Sequence, residues 1–184
     1  MRKVIFSINI TLDGCVDHTK GNGTEEVHEY FTELMYDADL FVYGRKLYQL
    51  MVPYWPEVAK NKSGSTKATN DFARVFSAVK KVVFSRTLDS VDDEMARIVR
   101  TNPEDELRRL KQEEGKSILL GGVNLPSQLV YTGLIDEYRF VVQPIIAGEG
   151  TRLFDVVSLP EKLQLKLVET TVFKDGNVAL RYVK

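Results

Sequence analysis

The chain has 184 residues, 43% hydrophobic and 28% charged, the balance of one ordinary soluble domain spanning 1–184. Such a length can bury roughly 70% of the unfolded surface, so no disulfide or metal is required to hold a core. The 25 basic and 26 acidic side chains leave a formal net charge of −1, which argues against a broad basic face for nucleic acid.

Val4 to Ile10 combines β-branched and aromatic residues with partial alternation and is broken by Asp13-Gly14, as a first strand would be. Thr24 can cap a helix with Glu25 and Glu26 in its first turn, and Val27, Tyr30, Phe31, Leu34, Met35 and Ala38 follow at helical spacing. Asp39 to Tyr43 reads as a short buried strand, turned by Gly44-Arg45-Lys46 into a short helix, Leu47 to Met51, that Pro53 and Pro56 stop. Lys60 to Thr69 reads as a polar surface loop and Asn70 to Ala78 as a brief helix. Lys81 to Ser85 and Met95 to Val99 are strands, and Asn102-Pro103 opens a helix that Gly115 ends. Ser117 to Leu120 runs into Gly121-Gly122 and a helix carrying Leu125, Leu129 and Val130, closed by Gly133. Tyr138 to Ile146 is the next strand, and Leu163 to Phe173 and Val178 to Val183 flank a hairpin turn at Asp175-Gly176-Asn177.

Strands alternating with helices and followed by an antiparallel hairpin predict an α/β fold with a largely parallel sheet covered on both faces. Ligands of such sheets gather outside the carboxyl ends of the strands. That rule selects three turns: Gly44-Arg45, Ser85-Arg86 and Gly121-Gly122. The guanidinium groups of Arg45 and Arg86 and the Ser85 hydroxyl suit a phosphate monoester. Gly121-Gly122 lets an anionic group approach backbone N–H donors and a helix dipole, although each turn alone is equally a tight turn or a solvated charge. Asp13, after the first strand, is a candidate either to bind a heterocycle's N–H groups or to deliver a proton, against a plain Asp-Gly turn.

Other chemistries fail on their motifs. The chain has no G-x-G-x-x-G, no P-loop and no G-x-S-x-G elbow. His18 and His28, the only histidines, make no zinc spacing with the lone Cys15, so no metal is expected; His28 reads as an exposed or satisfied helix residue and Cys15 as a passive thiol. Trp55 reads as core or partner contact rather than as a lid over a flat ring. No apolar run approaches the roughly 20 residues of a membrane span, and no leader pattern opens the chain, so a cytoplasmic setting is expected.

Three blocks, Ser7 to Gly14, Val42 to Tyr48 and Val82 to Leu88, resemble the dihydrofolate reductase superfamily. Gly121 to Leu125, Gly133 to Glu137 and Pro144 to Phe154 resemble the reductase domain of bifunctional riboflavin-biosynthesis deaminase-reductases, without the deaminase and its zinc signature. The resemblance implies a three-layer sandwich around a mostly parallel eight-stranded sheet, with NADPH across the strand ends. Gly44 and Arg45 would then approach the cofactor phosphates, Ser85 and Arg86 the adenosine 2′-phosphate, and Gly121 and Gly122 the pyrophosphate, with Lys46 and Val123 completing the cofactor set. Asp13 matches the loop aspartate beside the substrate pocket. Leu47 stands where the family often has threonine, which removes one hydroxyl contact. Glu29, Glu33 and Asp37 give no clear equivalent of the acid that holds the pterin in dihydrofolate reductase.

The expected activity is hydride transfer from NADPH to a small pyrimidine- or pteridine-like heterocycle, of the 5-amino-6-(5-phosphoribosylamino)uracil reductase kind, by a homodimer in which Pro144 to Phe154 participates. A non-catalytic nucleotide- or metabolite-binding module on the same scaffold, and a purely structural homodimer, are the alternatives.

Overall fold

The computed structural model describes residues 1–155 and 162–184. In chain order the elements are β1 (Val4–Thr11), α1 (Glu25–Tyr36), β2 (Ala38–Gly44), α2 (Arg45–Met51), α3 (Trp55–Asn61), α4 (Lys67–Ala78) and β3 (Lys80–Phe84). They continue with β4 (Ala96–Val99), α5 (Pro103–Gln112), β5 (Ser117–Leu120), α6 (Asn124–Leu129), β6 (Glu137–Gln143), β7 (Lys166–Val172) and β8 (Val178–Val183). The sheet has eight strands in the order β4-β3-β2-β5-β1-β6-β8-β7. The six from β4 to β6 are parallel to one another, and β8 runs against both β6 and β7. This is the expected α/β architecture.

Buried strands alternate between two apolar layers because successive side chains point to opposite faces. Val4, Phe6, Val42, Val82, Ile118 and Leu120 pack with Leu107 and Leu110 of α5 and Leu125 and Leu129 of α6. Their neighbours Ile5, Tyr43, Val83 and Leu119 pack with Leu34 and Met35 of α1 and Phe72, Val75 and Phe76 of α4. Neighbouring residues of one short apolar run thus serve opposite layers, which is why these strands read as continuous hydrophobic stretches.

Several boundaries differ from expectation. Ala38 belongs to β2 rather than to the α1 stripe: the helix ends at Tyr36, Asp37 caps it, and Ala38 pairs with Ser117. The proline-bounded stretch after α2 contains a helix, α3, with Pro56 at its start. A first-turn proline costs nothing because its missing N–H would have had no partner there. The supposed loop from Lys60 to Thr69 is shorter, since Thr66 caps α4 by accepting from Thr69 N and moves that helix start to Lys67. β6 stops at Gln143, before Pro144, and β7 starts at Lys166 rather than Leu163.

Candidate functional site

Because β1 to β6 are parallel, their carboxyl ends lie at one edge of the sheet, where a cleft of about 1050 Å³ opens. Gly44, Arg45, Lys46, Ser85, Arg86, Gly121, Gly122 and Val123 all line it, brought together from three turns far apart in sequence. Asp13 does not line it.

The charged half is built on β2, β3, β4 and β5. Arg45 Nη1 donates to Thr87 Oγ1 at 2.6 Å, tying the turn after β2 to the turn after β3. Ser85 Oγ accepts from the backbone N–H groups of Thr87 (3.2 Å) and Leu88 (2.9 Å), and a hydroxyl that accepts twice still has its hydrogen to donate. Arg100, which sequence reasoning missed, donates from Nη1 to Ser85 O (3.1 Å) and from Nη2 to Leu88 O (2.7 Å), bracing the same turn. Arg45, Lys46, Arg86 and Arg100 thus gather at one end, and among the described residues no carboxylate from these turns lines the cleft.

The glycine turn works differently from the expectation of a helix dipole. α2 and α6 have only seven and six residues, and neither has a side-chain cap. Gly121 N–H is spent on Val42 O at 3.0 Å, so that donor is not free for a ligand. A Cβ there would stand 3.0 Å from Leu47 Cδ2, and Gly122 holds φ +89. Leu47 therefore packs directly over the glycine turn, at the position where the resembled family places a hydroxyl.

The other half is apolar and aromatic. His28, Phe31 and Met35 of α1, Leu47 and Met51 of α2, Trp55 of α3 and Phe72 of α4 wall it, and Ser7, Asn9 and Thr11 of β1 form its floor. Trp55 and Phe72 have ring centroids 4.5 Å apart, and His28 lies 5.6 Å from Trp55 and 5.4 Å from Phe72. Burial pushes the His28 imidazole below its ordinary pKa, so it is neutral at pH 7. His28 is thus a half-buried cleft residue, not an exposed one, and Trp55 is a cleft wall. One signal was present for His28: it shares the helical stripe of Phe31 and Met35. Glu29, Glu33 and Asp37 are exposed and do not line the cleft.

Asp13 organises the loops beside this half. Its Oδ1 accepts from Thr11 Oγ1 (2.6 Å) and Ala147 N (3.0 Å), and its Oδ2 accepts from Gly148 N (2.9 Å). The Thr11 hydroxyl first, then the Ala147 N–H, hold its carboxyl well below the usual carboxylate range. Backbone bonds from Leu12 N to Ile145 O (2.8 Å), Val16 N to Thr151 O (2.9 Å) and Leu153 N to Gly14 O (3.0 Å) zip the same two segments together. Cys15 is buried in that seam. Gln143 fastens the next stretch, accepting from Asn22 N at 2.8 Å and donating to Asn22 O at 3.2 Å.

Among the described residues no cluster of histidine, cysteine or carboxylate side chains is placed to hold a metal, and no helix is long and apolar enough to cross a membrane.

The model of the RibD C-terminal domain family matches residues 2–179. Uncharacterized protein YyaP of Bacillus subtilis is 32% identical over 185 residues, covering 98% of this chain and 94% of that protein. Uncharacterized protein YwjB of the same organism is 25% identical over 179 residues, covering 90% of each. A putative riboflavin biosynthesis protein from Shewanella sp. PV-4 superposes with a TM-score of 0.73 at 20% identity, over 98% of both chains. A pyrimidine reductase-like protein from Corynebacterium diphtheriae gives 0.66 at 14% identity, over 99% of this chain and 91% of that one. A diaminohydroxyphosphoribosylaminopyrimidine deaminase/5-amino-6-(5-phosphoribosylamino)uracil reductase from Thermotoga maritima gives 0.68 at 17% identity, over 99% of this chain but 56% of that one. At these identities the three structures establish the shared fold.

Proposed function

The chain belongs to the RibD C-terminal domain family, and from that premise we propose that it is an NADPH-dependent reductase acting on a small pyrimidine- or pteridine-like heterocycle. The observation that carries this reading is the division of one cleft into a cationic end and an aromatic end along the strand termini. Arg45, Arg86 and Ser85 suit a phosphate monoester by charge and by donor type, which favours NADPH over NADH. Gly44, which lines the cleft and where a Cβ would meet nothing within 4 Å, leaves room for a pyrophosphate or its ribose to pass close to the backbone.

The reduced nicotinamide, when bound, supplies the hydride. The protein's part is placement. The arginine turns anchor the phosphate end, Leu47 packs on the glycine turn in the middle of the cleft, and the aromatic walls hold a flat acceptor. Asp13, ionised and fully engaged as an acceptor, fixes the loops rather than giving up a proton; in this reading the proton reaches the acceptor from solvent.

The test is calorimetric titration with NADPH and NADH. NADPH is expected to bind more tightly, and Arg45→Ala and Arg86→Ala each to lose affinity for NADPH of about tenfold or more, an amount typical of a charge-assisted contact, with NADH little changed. Absence of binding by either nucleotide overturns the proposal. A binding module without turnover is the second reading, favoured because among the described residues the one carboxylate lining the cleft is Asp17, in the loop after β1. Nucleotide binding with no acceptor-dependent oxidation of NADPH selects it. A cytoplasmic setting and a homodimer complete the proposal; Leu167, Val168 and Val172 of the exposed strand β7, with Ile146, 76% exposed, are the apolar side chains a second copy would cover.

A further inference from the structure

The side chains of β1 alternate, and Ile5 faces the layer of α1 and α4, so Ser7 and Asn9 face the same way, into the floor of the aromatic half. Asn9 Oδ1 is buried and has no hydrogen-bond partner. Leaving such an oxygen unpaired is costly, and because Asn9 lines the cleft, a half-turn of its carboxamide about the Cβ–Cγ bond presents that oxygen to a ligand's donor. Above that floor stand the rings of His28, Trp55 and Phe72, a corner that fits a flat ring edge-on to the carboxamide.

Charge is distributed just as unevenly. Every lysine and arginine lining the cleft comes from the turns after β2, β3 and β4; among the described residues none comes from β1, its following loop, α1, α3 or α4. That loop contributes the carboxylate of Asp17 instead. A phosphate carried by the acceptor would meet no lysine or arginine among the described residues of this half, only the His18 imidazole and the Asp17 carboxylate 3.9 Å from it.

We propose that the acceptor is an uncharged flat heterocycle with a lactam edge, N–H beside C=O, that pairs with the Asn9 carboxamide, stacks in the His28–Trp55–Phe72 corner and bears no phosphate. This deepens the reductase reading, on which it rests only for the hydride donor. It separates this chain from the phosphoribosylamino substrate in the name of the Thermotoga maritima protein. A site that hydrogen-bonds a ring edge discriminates strongly against a ring lacking that edge, because its buried polar group is then left unpaired.

Trp55 is the only tryptophan in the sequence and lines this half, so its fluorescence reports occupancy without any nucleotide. The experiment titrates diaminouracil, its phosphoribosylamino derivative, and tetraaminopyrimidine, which has a similar ring without a carbonyl. Diaminouracil is expected to quench Trp55 at the lowest concentration, with the other two weaker by about tenfold or more. Asn9→Ala is expected to abolish the preference over tetraaminopyrimidine, and Asn9→Asp, which keeps the shape but loses the amide donor, to weaken diaminouracil. Calorimetry with NADPH on each variant tells a folded protein from a damaged one. Equal or tighter binding of the phosphoribosylamino derivative, or an unchanged preference in a folded Asn9→Ala protein, overturns the proposal. If diaminouracil binds as expected and NADPH does not, the cofactor reading fails and this one stands; if NADPH binds and none of the three rings does, the reverse holds.

Discussion

Asp13 and Asn9 lie four residues apart and do opposite things with their oxygens. Both oxygens of Asp13 are taken up by Thr11, Ala147 and Gly148, whereas Asn9 Oδ1 meets nothing. The folded pKa of Asp13 is depressed below its ordinary 3.8, so its stabilising contribution is complete above 3.8 and is lost as the pH falls through the lowered value. Asp13→Asn is therefore expected to lower the melting temperature at pH 7, by a margin that shrinks as the pH drops below 3.8. Thermal melts of both proteins across that range check it, and a margin independent of pH contradicts it. The polar residues at the cationic end of the cleft were legible because Arg45, Ser85 and Arg86 follow directly on strands. Arg100 carried the same signal, directly after Val99 of β4, and was missed; His28 offered only its place in a helical stripe, and Asn9 offered nothing, since a strand interior does not state what lies opposite in space.

The elements owe their limits mostly to local chemistry. Asn102 accepts from Glu104 N at 2.8 Å and Asp105 N at 3.4 Å, with Pro103 at the first position of α5, so the helix start was readable from four letters. Asn102→Ala removes that cap and is expected to cost about 1 kcal/mol, measured by urea denaturation. Arg109 of the same helix first, and then Arg97 of β4, hold Glu106 of α5 down to about 2 against the opposing effect of burial. α3 shows where local signals mislead. Pro53 and Pro56 both read as stops, yet Pro56 begins a helix whose Trp55 then packs on Phe72. Ala38 shows the same limit at a single residue, fitting a helical period by spacing while its backbone pairs in the sheet.

For the whole molecule, the α5–α6 layer and the α1–α4 layer meet through one sheet, and Leu107 is fully buried in the first. Leu107→Ala is expected to destabilise the protein by about 2–5 kcal/mol, again by urea denaturation, since the cavity left in so enclosed a layer cannot collapse fully. A loss well under that range would mean the layer repacks. The proposed homodimer predicts a light-scattering mass of two chains; a mass of one chain removes it.

Apart from α3, strand and helix identities, the caps at Thr24 and Asn102, the hairpin at Asp175-Gly176-Asn177 and the three turns that face the cleft are properties of short stretches, and the amino-acid sequence alone determined them. The strand order, with β5 inserted between β2 and β1, and the meeting of Asn9, His28, Trp55 and Phe72 in one corner were decided by tertiary structure. The physical reason is range. Caps, turns and periodicity act over a few residues, whereas a corner assembled from positions 9, 28, 55 and 72 exists only once both faces of the sheet have buried their apolar layers.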